Sequence, residues 1–229
     1  MYLTKMPKLI QNLFPNFVWS VPTTEKVLYL TFDDGPTLEV TPRVLEILAS
    51  YDAKATFFCV GDNVSKHPGL LAKVLAGGHA VGNHTYHHLN GWETDNLPYF
   101  HNIRQCARLV QSGLFRPPYG RMSPKQAQFL TRHYKVIMWD VLSGDFDPNL
   151  SKEDCLANVL NGAKRGSIVV FHDSIKAQEK ALYALPLVLE HFRAKGYRFE
   201  SLKSLYDPKR KVMTDHQNVV SNPTFAFSL

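Results

Sequence analysis

The feature that most constrains the fold is a repeated unit of apolar run, titratable residue and helical pattern. Residues 27–32, 136–141 and 168–171 have the β-branched and aromatic composition of buried strands. Charged or titratable residues follow each run, and an amphipathic helical pattern comes next. This alternation is typical of a parallel sheet, in which the carboxyl ends of the strands lie at one edge.

Two adjacent carboxylates end the first run, in the sequence Thr-Phe-Asp-Asp-Gly-Pro at residues 31–36. Asp33 and Asp34 repel each other unless one binds a cation and the other meets a positive group. A solvated turn is the alternative interpretation, because Asp, Gly and Pro are all common turn residues. The hexapeptide alone leaves both interpretations open.

Three histidines follow another short apolar run, residues 80–82. His84 and His88 are four residues apart, so on a helical turn their imidazoles would share a face and could bind one divalent metal. His87 is the alternative to His88, because a spacing of three also shares a face. Two histidines and a carboxylate are typical of catalytic zinc, but also of non-haem iron oxygenases. The set therefore predicts a metal without fixing the reaction.

Further polar groups follow other apolar runs. Arg116 follows residues 114–115, Asp145 follows the run at 136–141, and His172 follows the run at 168–171. Because catalytic groups gather at the carboxyl ends of parallel strands, these positions predict one active site assembled from distant segments. The alternatives are an exposed surface arginine and a hydrogen-bonded core histidine.

Three motifs, taken together and in order, resemble the metal-dependent polysaccharide deacetylases of carbohydrate esterase family 4. They are residues 31–36, His-Thr-Tyr-His-His at 84–88, and Arg-Pro-Pro-Tyr-Gly at 116–120. The resemblance spans residues 26–205. It implies an α/β fold, a distorted (β/α) barrel with about seven parallel strands instead of the usual eight.

The resemblance implies that Asp34, His84 and His88 bind the metal. It makes Asp33 the general base that activates the attacking water, and Arg116 the partner that keeps Asp33 ionised and oriented. A guanidinium neighbour favours the charged form of a carboxylate, so the two roles are physically consistent.

The remaining roles implied by the resemblance concern the oxyanion and the leaving group. The backbone N–H of Tyr119 would stabilise the oxyanion. His172 would be the general acid that protonates the leaving amine, and Asp145 would hold His172 in its charged form. Histidine suits this role because it titrates near neutrality.

Two residues depart from the family pattern. Phe146 stands where tryptophan is usual, so the aromatic wall of the groove would lack an indole N–H. Val170 stands where leucine commonly lines the pocket for the acetyl methyl group, and one methylene is worth about 0.8 kcal/mol of burial. We therefore expect a looser acyl pocket, which leaves open acyl groups other than acetyl.

The predicted function is metal-dependent hydrolysis of an N-acetyl, or other N-acyl, group from an amino sugar of a glycan or oligosaccharide. One divalent metal is expected, with zinc preferred and cobalt, nickel, manganese or iron as alternatives. The alternative functions are O-acetyl ester hydrolysis on a polysaccharide such as xylan, ring-amide hydrolysis, and a catalytically silent carbohydrate-binding domain. Every acid, base and ligand position of the pattern is filled, which favours an enzyme.

Length and composition are consistent with one catalytic domain. The chain has 229 residues, of which 45% are hydrophobic. We predict an N-terminal extension at 1–25 that packs on the barrel, the deacetylase domain at 26–205, and a C-terminal tail at 206–229.

The net charge is +6, but the lysines are scattered, so we predict no nucleic-acid partner. We expect no transmembrane span or signal-peptide core, which slightly favours a cytoplasmic location. The oligomeric state is not predicted.

Overall fold

A sheet of parallel strands forms the centre of the structure, a computed structural model that describes residues 2–205. The strands are β1 (Val27–Asp33), β2 (Ala55–Cys59), β3 (Ala80–Asn83), β4 (Leu114–Phe115), β5 (Lys135–Val136), β6 (Val141–Leu142), β7 (Ile168–His172) and β8 (Arg198–Phe199). The helices are α1 (Lys8–Leu13), α2 (Thr41–Ser50), α3 (Gly61–Lys66), α4 (Pro68–Ala76), α5 (Asn96–Ala107), α6 (Pro124–Leu130), α7 (Lys152–Gly162) and α8 (Gln178–Ala194).

Seven of the strands form a continuous path in the order β5-β4-β3-β2-β1-β7-β6, and β8 pairs with the start of β1. Every pair between these strands is parallel. All seven residues of β1 are buried, because β1 lies between β2 and β7 and helices cover the outside of the sheet. The predicted fold, a distorted α/β barrel of seven parallel strands, is confirmed, with β8 as a short addition.

The prediction that the apolar run at residues 136–141 forms a single strand is wrong. Val136 lies opposite Phe115 of β4, whereas Val141 lies opposite Val169 of β7. The Ile137 N–H still donates to the Phe115 carbonyl, but the Asp140 N–H donates to the Ile168 carbonyl. The segment therefore bends between these residues and joins the two edges of the sheet.

Residues near the N-terminus contact this bent segment. Lys5 forms an antiparallel bridge with Val141, and Val18 forms a parallel bridge with Ile137. The Lys5 ammonium also lies 2.6 Å from Oδ2 of the buried Asp140. The division into an extension, a domain and a tail stays a prediction, and the predicted tail at 206–229 lies outside the described residues.

Residues typical of helix starts lie at the beginning of several helices. Pro42 lies in the first turn of α2, and Ser123 and Gln126 form a reciprocal capping box at the start of α6. Ser151 caps α7 by accepting a hydrogen bond from the Asp154 N–H. The short helices α1 and α3 are not among the predicted elements. Within residues 2–205, no helix has the length and apolar character needed to cross a membrane.

Candidate active site

The polar residues predicted at the strand ends meet in one cavity of about 590 Å³. The predicted site residues in its lining are Asp33, Asp34, His84, His88, Tyr119, Phe146, Val170 and His172. Arg116 and Asp145, the other two predicted residues, are completely buried. Each is hydrogen-bonded to a residue of the lining, Arg116 to Asp33 and Asp145 to His172. The structure therefore brings all the predicted site residues together.

Asp34, His84 and His88 present one oxygen and two nitrogen atoms that all lie within 4.8 Å of one another. The Asp34 Oδ1 atom is 3.0 Å from His88 Nε2 and 3.7 Å from His84 Nε2. A tetrahedral ion with ligand distances of about 2.1 Å needs donor atoms about 3.4 Å apart. The two measured separations lie on either side of that value, so these residues fit a divalent ion.

The His84 ring is oriented for this role by a hydrogen bond on its other nitrogen. Nδ1 lies 2.8 Å from the carbonyl oxygen of Arg116, and a carbonyl only accepts, so Nδ1 carries the proton. Nε2 is then unprotonated and has a lone pair for a metal. The His87 ring instead lies 2.8 Å from the Asn102 amide nitrogen, so His88 and not His87 completes the donor set.

The helical turn assumed for residues 84–88 is wrong. The segment contains two left-handed residues, Thr85 with φ 62° and His88 with φ 55°. Asn83 Oδ1 accepts the Thr85 N–H, and Thr85 Oγ1 accepts the Leu89 N–H, so side chains replace helical hydrogen bonds. The two imidazoles converge because of this loop conformation and not because of a helical period.

The Asp34 backbone is also left-handed, with φ 78°. The Asn63 amide donates to the Asp34 carbonyl at 2.7 Å and holds this conformation. Burial raises the pKa of the Asp34 carboxyl, but the interactions with the adjacent His84 and His88 side chains outweigh burial, and the pKa lies well below its ordinary value. Asp34 is therefore a carboxylate, the form in which it can bind a cation.

Asp33 forms a buried ion pair with Arg116. Nη1 of Arg116 donates to Asp33 Oδ1 and to Thr31 Oγ1, both at 2.7 Å. The other guanidinium nitrogens donate to the carbonyls of Ile137 and Met138. Because these hydrogen bonds fix the guanidinium on several sides, it cannot rotate, and it holds the Asp33 carboxylate in one orientation.

His172 and the buried Asp145 form a second pair. His172 Nδ1 lies 2.7 Å from Asp145 Oδ1, and the His172 backbone N–H donates to Asp145 Oδ2, also at 2.7 Å. Burial lowers the pKa of the imidazole, but the negative charge and hydrogen bond of Asp145 outweigh it and raise the pKa to about 9. The imidazole is therefore protonated at neutral pH.

Asp173 supports the site in a way that the sequence analysis missed. Its carboxylate accepts the Gly35 N–H at 3.0 Å and the Thr41 hydroxyl at 2.6 Å. A Cβ at residue 35 would overlap this carboxylate, so only glycine allows the close approach. Burial raises the pKa of Asp173 to about 7, with a further increase from Asp34, although the hydrogen bond from Thr41 lowers it. The signal in the sequence was an acid directly after His172 at a strand end.

Phe146 forms an aromatic wall beside the imidazole of His172. The two rings are edge to face, with their centroids 5.2 Å apart. The Tyr2 ring also packs against Phe146, with the two ring centroids 5.1 Å apart. The Tyr2 hydroxyl donates to Asp147 Oδ2. Tyr2 thus lines the same cavity, which nothing in the local sequence around residue 2 indicated.

Residues 20–134 match the family model described as polysaccharide deacetylase. A peptidoglycan-N-acetylglucosamine deacetylase of Bacillus cereus is 35% identical over 199 residues, which cover 82% of this chain and 91% of that relative. The chain belongs to the polysaccharide deacetylase family. Membership confirms the predicted class of metal-dependent hydrolase that deacylates glycans.

Two further similarities agree with this membership. A chitooligosaccharide deacetylase of Azorhizobium caulinodans is 29% identical to this chain over 202 residues. The aligned region covers 80% of this chain and 95% of that relative. A crystal structure of a peptidoglycan N-acetylglucosamine deacetylase in complex with 4-naphthalen-1-yl-N-oxidanyl-benzamide superimposes with a TM-score of 0.81 at 28% identity. It covers 90% of this chain and 99% of its own.

Proposed function

We propose that this polysaccharide deacetylase hydrolyses the N-acetyl group of N-acetylglucosamine units in a glycan or oligosaccharide. The observation that carries the proposal is the presence, in one cavity, of a metal donor set, a carboxylate paired with arginine and an imidazole paired with a carboxylate. The relatives named for peptidoglycan and chitooligosaccharide substrates support the choice of this sugar.

The proposed cofactor is one divalent ion, zinc, held by Asp34, His84 and His88. When bound, it supplies Lewis-acid polarisation of the acyl carbonyl and activation of water. Three protein ligands from nitrogen and oxygen atoms, with open positions for water and substrate, are typical of catalytic zinc. Cobalt, nickel, manganese and iron are the alternatives, and elemental analysis of purified protein decides among them.

Asp33 is the proposed general base. Its carboxylate lines the cavity beside the donor set and is held there by the ion pair with the buried Arg116. It accepts a proton from the water that attacks the acyl carbon. Arg116 is fully buried and does not line the cavity, so it acts as a positioning residue for Asp33.

His172 is the proposed general acid. The Nδ1 proton of the imidazole is hydrogen-bonded to the Asp145 carboxylate, so the proton available to the substrate is the one on Nε2. An amine leaves poorly unless it is protonated, and the raised pKa of His172 keeps this proton in place at neutral pH. After the carbon–nitrogen bond breaks, the leaving nitrogen carries the proton and His172 becomes neutral.

Tyr119, Phe146 and Val170 complete the proposed substrate site. The Tyr119 N–H stabilises the oxyanion that develops on the acyl oxygen. Phe146 forms the wall against which the sugar packs, and Val170, which is 1% exposed, lines the acyl pocket. The short Val170 side chain leaves room for an acyl group slightly larger than acetyl.

An acetate-release assay tests this function. Metal-stripped and metal-restored protein would be incubated with chitooligosaccharides, peptidoglycan fragments and O-acetylated xylan. We expect release from the first two substrates only after metal is restored. Release from xylan alone would replace the proposal with O-acetyl ester hydrolysis. Binding to glycans without turnover of any acyl substrate would favour a silent carbohydrate-binding domain.

A further inference from the structure

A second cavity, of about 860 Å³, adjoins the catalytic cavity. The residues that line both are Tyr2, Tyr119, Gly120, Arg121, Trp139 and Leu142. The second cavity therefore lies directly beside the catalytic cavity, within reach of a group attached to a sugar bound there. We call this second space the apolar chamber.

The walls of the apolar chamber are almost entirely hydrocarbon and aromatic. They come from the N-terminal residues, including Ile10, Leu13 and Phe14, and from the loop and helix that carry Trp92 and Ala127. All three tryptophans of the chain line it. Within the described residues its lining contains no carboxylate. The hydroxyl and amide side chains in the lining are those of Tyr2, Asn16, Tyr119, Gln128 and Thr131, and the rest of the wall is mostly apolar. Such a wall favours a hydrocarbon over a bare sugar ring, which needs a hydrogen-bond partner for each of its hydroxyls.

Apolar side chains remain exposed around the opening of the apolar chamber. Leu13 is 67% exposed, Trp92 is 65% exposed and Phe14 is 48% exposed. A contiguous apolar surface of this kind, beside an active site, marks a place where a ligand covers it. Among residues 2–205, the one charged residue in the lining is Arg121, whose guanidinium lies 5.0 Å from the centre of the Trp92 ring at the junction with the catalytic cavity.

We propose that the apolar chamber binds a hydrocarbon group carried by the substrate, so that the substrate is an amphiphile with an acylated amino sugar as its polar part. This inference rests on the proposed function, because the sugar must lie in the catalytic cavity. Because the two cavities share six lining residues, we place the hydrocarbon on the sugar itself and not on a separate ligand. The cationic Arg121, with no carboxylate in the lining, favours a neutral or acidic hydrocarbon-bearing group over a cationic one.

Alkyl glycosides of N,N′-diacetylchitobiose provide the test. Methyl, butyl, octyl and 8-aminooctyl glycosides would be compared below their micelle-forming concentrations. We expect KM to fall along the first three with kcat unchanged, because binding far from the reacting atoms stabilises ground and transition states equally. Each fully buried methylene gives at most about a fourfold decrease in KM. The 8-aminooctyl glycoside should lose most of the gain, because its ammonium would be desolvated.

Two leucines of helix α1 provide a matched pair of variants. Leu13 lines the apolar chamber, whereas Leu9, one turn earlier and 73% exposed, lines neither cavity. We expect Leu13→Asp to reduce the octyl-to-methyl preference at least threefold and Leu9→Asp to leave it unchanged. Ala127→Phe, which fills the chamber from α6, should also reduce the preference. All three variants should turn over the methyl glycoside normally, which shows that they fold.

A binding measurement separates this inference from the proposed function. Because the three tryptophans line the chamber, octyl glycoside should change the intrinsic fluorescence of metal-free protein at lower concentration than methyl glycoside. Equal KM values and equal binding of methyl and octyl glycosides would overturn the inference, even if both are deacetylated. Preferential octyl binding with no turnover by metal-loaded protein would retain the chamber as a hydrocarbon site and overturn the proposed function.

Discussion

Asp33 and His172 lie opposite each other at the carboxyl ends of the neighbouring strands β1 and β7. The two residues are far apart in the chain, and parallel pairing makes them neighbours at one edge of the sheet. Each is held by a buried partner of opposite charge, Arg116 for Asp33 and Asp145 for His172. The proposed base and acid are thus neighbours in the backbone framework of the barrel, which fixes their separation.

The donor set predicts a specific loss of metal. His84→Ala and His88→Ala should each remove most of the bound ion, because each deletes one of three protein ligands. His87→Ala is the matched control, since its ring contacts Asn102 and lies outside the donor set. Elemental analysis of purified variants measures the effect. Unchanged metal content in both the His84 and His88 variants would show that the ion binds elsewhere.

Replacing Asp33 by Asn should separate catalysis from metal binding. The amide cannot accept the proton from water, so we expect turnover to fall on the order of 10²-fold or more with the metal retained. Steady-state acetate release and metal content would be measured on the same preparation. A variant with near-native turnover would exclude Asp33 as the base.

His172→Ala should slow amide substrates far more than activated acetate esters, because an ester leaving group needs less help from a proton donor. The ratio of the two losses measures the contribution of protonation, at about 1.4 kcal/mol for each tenfold. Kinetics on an N-acetyl oligosaccharide and on an activated acetate ester provide the measurement. Equal losses would assign His172 a positioning or structural role instead.

Asp145→Asn should shift the alkaline side of the pH–rate profile to lower pH. The Asp145 carboxylate raises the pKa of His172, so the imidazolium persists to higher pH in the native protein. Without this charge the pKa falls, and the protonated acid is lost earlier as the pH rises. The profile of kcat against pH measures the shift. An unchanged alkaline limb would show that His172 does not control it.

Asp173 should make folding stability depend on pH. Its folded pKa of about 7 lies above the unfolded value of about 4, so between these pH values the folded state binds more protons. The free energy of unfolding therefore decreases as the pH rises through this window, by at most about 1.4 kcal/mol per pH unit. Denaturant unfolding from pH 4 to 7 should show a smaller decrease for Asp173→Asn. The same slope in both proteins would contradict the raised pKa.

The contacts of the N-terminal residues with the barrel also predict a stability difference. Oδ2 of Asp140 accepts from the Lys5 ammonium and from the Ser167 hydroxyl, both at 2.6 Å. Asp140→Ala leaves the buried Ser167 hydroxyl without this acceptor and leaves the Lys5 ammonium only the Gly162 carbonyl, so it should cost about 2 kcal/mol. Asp62→Ala is the control, because Asp62 pairs with Lys66 on the surface and should cost less than about 1 kcal/mol. Denaturant unfolding compares the two, and equal costs would show that the buried contact contributes little.

Local sequence patterns predict the central strands and the polar residues at their ends. Apolar runs such as residues 27–32 are buried on both faces, so their composition alone identifies them as central strands. The choice between His87 and His88 could not be made in this way, because both spacings share a helical face. The loop at 84–88 is not helical, and its conformation depends on hydrogen bonds to Asn83 and Asn102.

The motifs at residues 31–36 and 84–88 indicated the donor set through their resemblance to the deacetylase family. The sequence by itself determined the parallel sheet and the placement of Asp33, Arg116 and His172 at one edge. These follow from periodicity and strand ends, which are local properties. Only the tertiary structure decided the bend between β5 and β6, the Asp173 contact with Gly35, and the position of Tyr2 beside Phe146. These arise where segments distant in sequence pack together. A local pattern does not specify such contacts, because their free energy depends on which surfaces the completed sheet leaves to be covered.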